Sequence, residues 1–128
     1  MTRGRVSIGA PQQSKAQRIA RYVDWVEGLP MRVRDIRSHP GHAARTGRFK
    51  PEDWRAVEVE FARRRDQVTP IDTIAPDRAE LVRDLVVWLT DHPGISPLES
   101  ADFVARFADV TRAELRVALA HVAKIAAA

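Results

Sequence analysis

Apolar residues along the chain recur with the period of a helix. In SKAQRIARYVDWVEG, Ile19, Tyr22, Val23 and Val26 fall at i, i+3, i+4 and i+7, which places them on one helical face. In DRAELVRDLVVWLTD, Val82, Leu85, Val86 and Leu89 repeat that spacing 63 residues later. Trp25 and Trp88 match at the same offset, as do Pro30 and Pro93. Both helices open on the spacing of a capping box, Ser14 with Gln17 and Asp77 with Glu80, where each side chain closes the other's free backbone N–H. A second pair of patterns, KPEDWRAVEVEFARR and TRAELRVALAHVAK, aligns at an offset of 61. There Phe49 matches Val110, Asp53 matches Glu114, Trp54 matches Leu115, Arg55 matches Arg116 and Phe61 matches Val122. Thr111 with Glu114 is another capping box. Val110 and Leu115 stand as a hydrophobic staple that Phe49 and Trp54 repeat. Lys50 is a poor N-cap, but Pro51 suits the first helical position.

These patterns predict an all-α chain of about six helices in two tandem three-helix units, with no sheet. Residues 1–13 form a basic arm, 14–66 the first unit, 67–76 a prolyl linker and 77–128 the second unit. The tripeptide HPG occurs at His39-Pro40-Gly41 and at His92-Pro93-Gly94, 53 residues apart, which fits neither offset. It is punctuation. The second copy stops the first helix of its unit, by a missing donor and a glycine free to take positive φ. The first lies inside the connection of unit one and is expected to break the middle helix there.

In the second unit the middle segment is SPLESADFVARFADV. Ser96 with Glu99 has capping-box spacing, and a helix of about three turns is expected to run to Ala108 before a tight turn at Asp109. From Ala101 to Ala120, ADFVARFADVTRAELRVALA resembles the helix-turn-helix superfamily position by position. Ala105 stands where two helices cross closely. Val104, Ala108, Val110, Leu115 and Ala118 stand at the buried positions. Asp109 replaces the usual left-handed glycine, a conformation aspartate tolerates less well. The equivalent window in unit one, GHAARTGRFKPEDWRAVEVE, has Ala44, Gly47, Phe49, Trp54 and Val57 at corresponding sites and Arg48 at the turn. The resemblance implies that the last helix of a unit lies in a DNA major groove with its N-terminal part near base edges. That would present Lys50, Glu52 and Arg55 to the groove, with Arg45 and Arg48 on phosphates.

Charge divides the chain in the same place. Residues 1–66 hold 15 Lys and Arg against 8 Asp and Glu, net +7; residues 67–128 hold 6 against 9, net −3. A basic half beside an acidic half points to one face for a polyanion and another for proteins. Arg3 and Arg5 in the arm would reach a minor groove or follow the backbone. In unit two, Arg112 and Arg116 occupy the same exposed positions and are further candidate DNA contacts, but among Asp91, Glu99, Asp102 and Asp109. That unit is expected to make protein contacts, such as a homodimer, helped by the apolar tail AHVAKIAAA. Glu58 and Glu60 argue against a DNA-reading face unless they pair with Arg63 or Arg64. The run Arg63-Arg64-Arg65 suits a helix C-terminus, whose dipole favours cations.

Other chemistry is thin. The 128 residues include no cysteine, so disulfides, thiolate metal sites and a cysteine nucleophile are absent. His39 and His42 have no nearby acidic partner for zinc, and no metal or cofactor is expected. Trp25, Trp54 and Trp88 fall on apolar faces and are expected in the core. No P-loop, dinucleotide glycine motif or HExxH occurs, so no enzyme is expected. No apolar run is long enough to span a membrane, and the arm has no signal-peptide core, so a cytoplasmic protein is expected. The expected function is that of a small bacterial or phage protein binding double-stranded DNA: a regulator, antitoxin, excision factor or packaging factor. The alternative is a non-enzymatic helical module that inhibits or adapts another protein.

Overall fold

The computed structural model describes residues 14–127. Its six α-helices are α1 (Lys15–Glu27), α2 (Pro40–Thr46), α3 (Pro51–Arg65), α4 (Pro76–Asp91), α5 (Ala101–Arg106) and α6 (Arg112–Ala127). Two single 3-10 turns, Ile71–Thr73 and Pro97–Glu99, lie between them. The fold is all-α. Among the described residues there is no strand, only an isolated antiparallel bridge between Pro30 and Thr111.

Helix starts follow local chemistry. Ser14 Oγ accepts from the Gln17 N–H at 3.1 Å, and Gln17 Oε1 accepts from the Ser14 N–H at 2.9 Å. Thr111 and Glu114 close the same reciprocal pair. At α3 only half of it forms. Asp53 accepts from the Lys50 N–H at 2.9 Å, but an ammonium has no lone pair to offer in return. Two expected caps are corrected. Helix α4 starts before Asp77, with Pro76 at N1 after an uncapped Ala75, because the ring presets a helical φ. Ser96 does not cap a three-turn helix. Pro97–Glu99 is a 3-10 turn, and Ser100 starts α5 afresh by accepting from the Phe103 N–H at 3.2 Å.

The two HPG tripeptides do opposite work. His92 ends α4 and Gly94 takes φ +80, the left-handed region. His39 instead begins α2: its Nδ1 accepts from the Gly41 N–H at 3.0 Å and Pro40 fills N1. The first HPG therefore opens the middle helix of unit one and does not break it.

The first and third helices of each half pack on each other, α1 on α3 and α4 on α6. Ile19, Tyr22, Val23, Val26 and Val57 form one core, backed by Phe49, Trp54 and Phe61. Val82, Leu85, Trp88, Leu89, Leu115, Val117 and Ala118 form the other, together with Phe103, Phe107 and Val110. Met31, from the first connection, is fully buried in that second core. Its segment lies against the α5–α6 turn: the Met31 N–H donates to Val110 at 2.8 Å, Arg32 to Ala108 at 2.9 Å, and Arg112 to Leu29 at 3.1 Å. No helix among the described residues is long and apolar enough to cross a membrane.

Candidate nucleic-acid interface

Helix α1 carries Arg18, Arg21 and Trp25 at i, i+3 and i+7, a spacing that sets them along one side. The start of α2 meets α1 through side chains, His39 against Trp25 and His42 against Tyr22, with Gly41 leaving room for the indole. A Cβ there would stand 2.9 Å from Trp25 Cζ2, so that the indole would have to shift, and 3.0 Å from Arg45 Nη1. The two helices and the turn after α2 enclose an open cleft of about 1340 Å³. Arg18, Arg21, Arg45 and Arg48 line it, with Trp25 and Phe49.

The cations are held in different ways. Arg45 lies over the Trp25 ring, its Cζ 4.8 Å from the centroid, and donates to the Gly41 carbonyl at 3.1 Å. Both contacts fix the guanidinium without neutralising it. Arg18 is 3.8 Å from Asp53, whose carboxylate is buried. Asp24, the carboxylate in the cleft wall, is turned to Arg64 at 2.6 Å. The cleft thus keeps a strong positive bias. Tyr22 supports its floor, edge-on to Phe49 at 5.5 Å and tilted to Trp25 at 6.0 Å. Burial raises the Tyr22 pKa, partly offset by the charge of Arg37, so the phenol adds no negative charge.

The expected site residues divide into three groups. Arg45 and Arg48 are exposed and come together in the cleft. Lys50 and Arg55 are exposed at the N-cap and second turn of α3, where Arg55 shares the outer face with Glu52, Glu58 and Val59. Arg3 and Arg5 lie outside the described residues. Arg112 and Arg116 are corrected: both are half-buried and turned towards unit one. Arg112 donates to the carbonyls of Pro30, at 2.9 Å, and of Val33. Arg116 Nε donates to Glu27 at 2.5 Å and its Nη1 to the Arg64 carbonyl at 3.2 Å. The cause is the first connection, which lies across the start of α6 and fills the space that a free recognition helix would need. Burial, with the nearby charge of Arg34, lowers the Arg112 pKa.

The turns also depart from the helix-turn-helix pattern. Ala105, expected at the helix crossing, is exposed, and Phe103 and Phe107 fill the contact instead. Asp109 does not take the left-handed conformation, since no non-glycine residue described has positive φ. It is held by an ion pair with Arg32. Comparison with family models, with curated proteins and with solved structures finds no match to the chain.

Sequence reasoning missed Arg18 and Arg21, although their spacing from Trp25 was a usable signal. It also missed Glu27, buried where the two halves meet, which accepts from Arg64 at 2.9 Å and from Arg116. Glu60 pairs as expected, with Arg63 at 2.6 Å and Arg64 at 2.7 Å; Glu58 stays exposed. His39 and His42 serve structure. One caps α2, and the other stacks on Trp54 with 5.9 Å between centroids.

Proposed function

We propose that the protein is a non-catalytic binder of double-stranded DNA that grips phosphates with its first half. The observation that carries this reading is the convergence of Arg18, Arg21, Arg45 and Arg48 on one cleft whose only acidic wall, Asp24, is engaged by Arg64. Lys50 and Arg55 on α3 are exposed outside the cleft, Arg55 beside Glu52 and Glu58, and are assigned to the groove by the helix-turn-helix resemblance alone. Arg112 and Arg116 drop out of the DNA contact in this reading and hold the two halves together. Phosphate contacts give attachment and register but little sequence information.

The test is anisotropy of a labelled mixed-sequence duplex with the wild type and with Arg45→Ala/Arg48→Ala. Four phosphate contacts predict an affinity loss of about 100-fold between 50 and 200 mM salt. The double variant should bind more weakly and show a shallower salt slope. No binding by the wild type at low salt sinks the reading.

A second reading has its own observation. A groove of about 620 Å³ with mainly apolar walls, including Val26, Phe61, Leu119, Ala120 and Ala123, runs between α1, α3 and α6. Such a groove suits a protein partner or a second copy of the chain. Sedimentation over a range of concentrations, wild type against Leu119→Glu, tests it. Self-association that the variant loses supports it, and a concentration-independent monomer removes the homodimer.

A further inference from the structure

Phosphate binding accounts for the arginines of the cleft but not for its rings. A duplex presents phosphates and groove edges to a protein surface, and its base faces are stacked away. The cleft sets an indole and a phenyl ring, Trp25 and Phe49, among four guanidiniums. Arg45, though exposed, is not free: its guanidinium carbon stands 4.8 Å from the Trp25 ring centroid and its Nη1 donates to the Gly41 carbonyl, which holds the cation over the indole. Indole and guanidinium together make an aromatic, cationic ledge, and both kinds of surface stack nucleobases. The volume bears on the ligand too. At about 1340 Å³ the cleft exceeds the roughly 300–1,000 Å³ of enclosed small-molecule pockets, and it is open to solvent. That suits a polymer passing through better than a free metabolite.

We propose that the cleft between α1 and α2 receives an unpaired nucleotide of a DNA strand, with its base on the Trp25–Arg45 ledge and its phosphates on Arg21 and Arg48. The inference rests on the DNA-binding reading and narrows it to DNA with a single-stranded end or gap. Gly41 leaves room for the ledge, since a Cβ there would stand 2.9 Å from Trp25 Cζ2 and 3.0 Å from Arg45 Nη1.

The experiment uses the full chain and three labelled probes at low salt: a blunt duplex, the same duplex with a thymidine overhang, and that duplex with an abasic overhang of equal length. The abasic strand keeps every phosphate and lacks the bases. One stacked base is worth about 10-fold in affinity. The thymidine overhang should therefore bind about 10-fold more tightly than the abasic one, and Trp25→Leu should abolish that difference. Should Trp25→Leu fail to fold by circular dichroism, the wild-type comparison of thymidine with abasic overhang decides alone. Equal binding of all three probes overturns the unpaired nucleotide and leaves duplex binding standing. A gain with both overhangs alike overturns the base contact in favour of flexible phosphates. No binding of any probe removes both readings.

Discussion

Glu27 is the residue on which the junction turns. Its carboxylate is 9% exposed and receives Arg64 from α3 and Arg116 from α6. A buried carboxylate tolerates desolvation only while such partners stay in place, and cutting one member leaves the others uncompensated. Glu27→Ala should cost about 3 kcal/mol in a urea titration, with Glu27→Gln costing less because it still accepts hydrogen bonds. A midpoint unchanged in Glu27→Ala would show that the cluster contributes nothing. Glu60 gives a pH signature on the same arginine. Its hydrogen bonds to Arg63 and Arg64, against a smaller cost of burial, lower its pKa from the ordinary 4.5 to about 2. Burial works against the charge of Arg64, and its bonds to Glu60, Asp24 and Glu27 outweigh that and raise its pKa. The folded state thus holds fewer protons on Glu60 than the unfolded chain does. Its stabilisation is complete above pH 4.5 and fades as the pH falls towards about 2. Glu60→Gln should flatten the acid limb of stability in that window and change little in slope near neutrality. An identical acid limb in both proteins would refute the assignment.

At the scale of the element, what the sequence makes readable is whatever local chemistry decides. The faces of α1 and α4 followed from apolar spacing, and the boxes at Ser14 and Thr111 formed because both partners sit three residues apart. Where two local signals competed, spacing alone chose wrongly. Ser96 and Ser100 both precede a helical turn, and only Ser100 lies before residues that continue as α-helix. The prediction is asymmetric: Ser100→Ala should lower stability by about 1 kcal/mol, and Ser96→Ala by only a few tenths. Equal losses would restore the longer helix. The two HPG copies teach the same lesson. Proline begins helices as readily as it follows them, so the tripeptide takes its meaning from the residues beyond it. His42-Ala43-Ala44 continues helically after the first copy, whereas Ile95-Ser96-Pro97 cannot after the second. In the candidate site, Arg45 and Arg48 were readable as exposed cations, although Arg45 lies in the last turn of α2 and only Arg48 in the turn that follows. The cleft was not, because it depends on how α2 and the turn after it seat against Trp25 and Tyr22 of α1.

At the scale of the molecule, guanidiniums join the two halves beside Met31 and the backbone bonds of its segment, and the guanidinium pairs are the part least visible in the sequence. Arg116 meets Glu27 across 89 positions and Arg112 meets Pro30 across 82. No periodicity encodes such pairs; helix packing chooses them. The arrangement has an energetic consequence. Among the described residues the second core has eleven buried members and the first has five, so the described first half draws more of its order from the junction. Met31 adds to the asymmetry, because a residue of the first half has its side chain in the second core. Arg112 holds that connection through the Pro30 and Val33 carbonyls, and Arg116 ties α6 to α1 through Glu27 and to the end of α3 through the Arg64 carbonyl. Removing both should lower the opening free energy of α1 and α3 by about 2 kcal/mol and that of α4 and α6 by less. Hydrogen exchange read by peptide measures both at once. In the wild type the four helices should exchange from one common opening, and in Arg112→Ala/Arg116→Ala α1 and α3 should exchange first. If all four helices still exchange together in the double variant, the junction is carried by Met31 and the backbone bonds around Val110, and the guanidiniums only decorate it. If α1 and α3 separate, those two arginines are what make two small helical cores unfold as one.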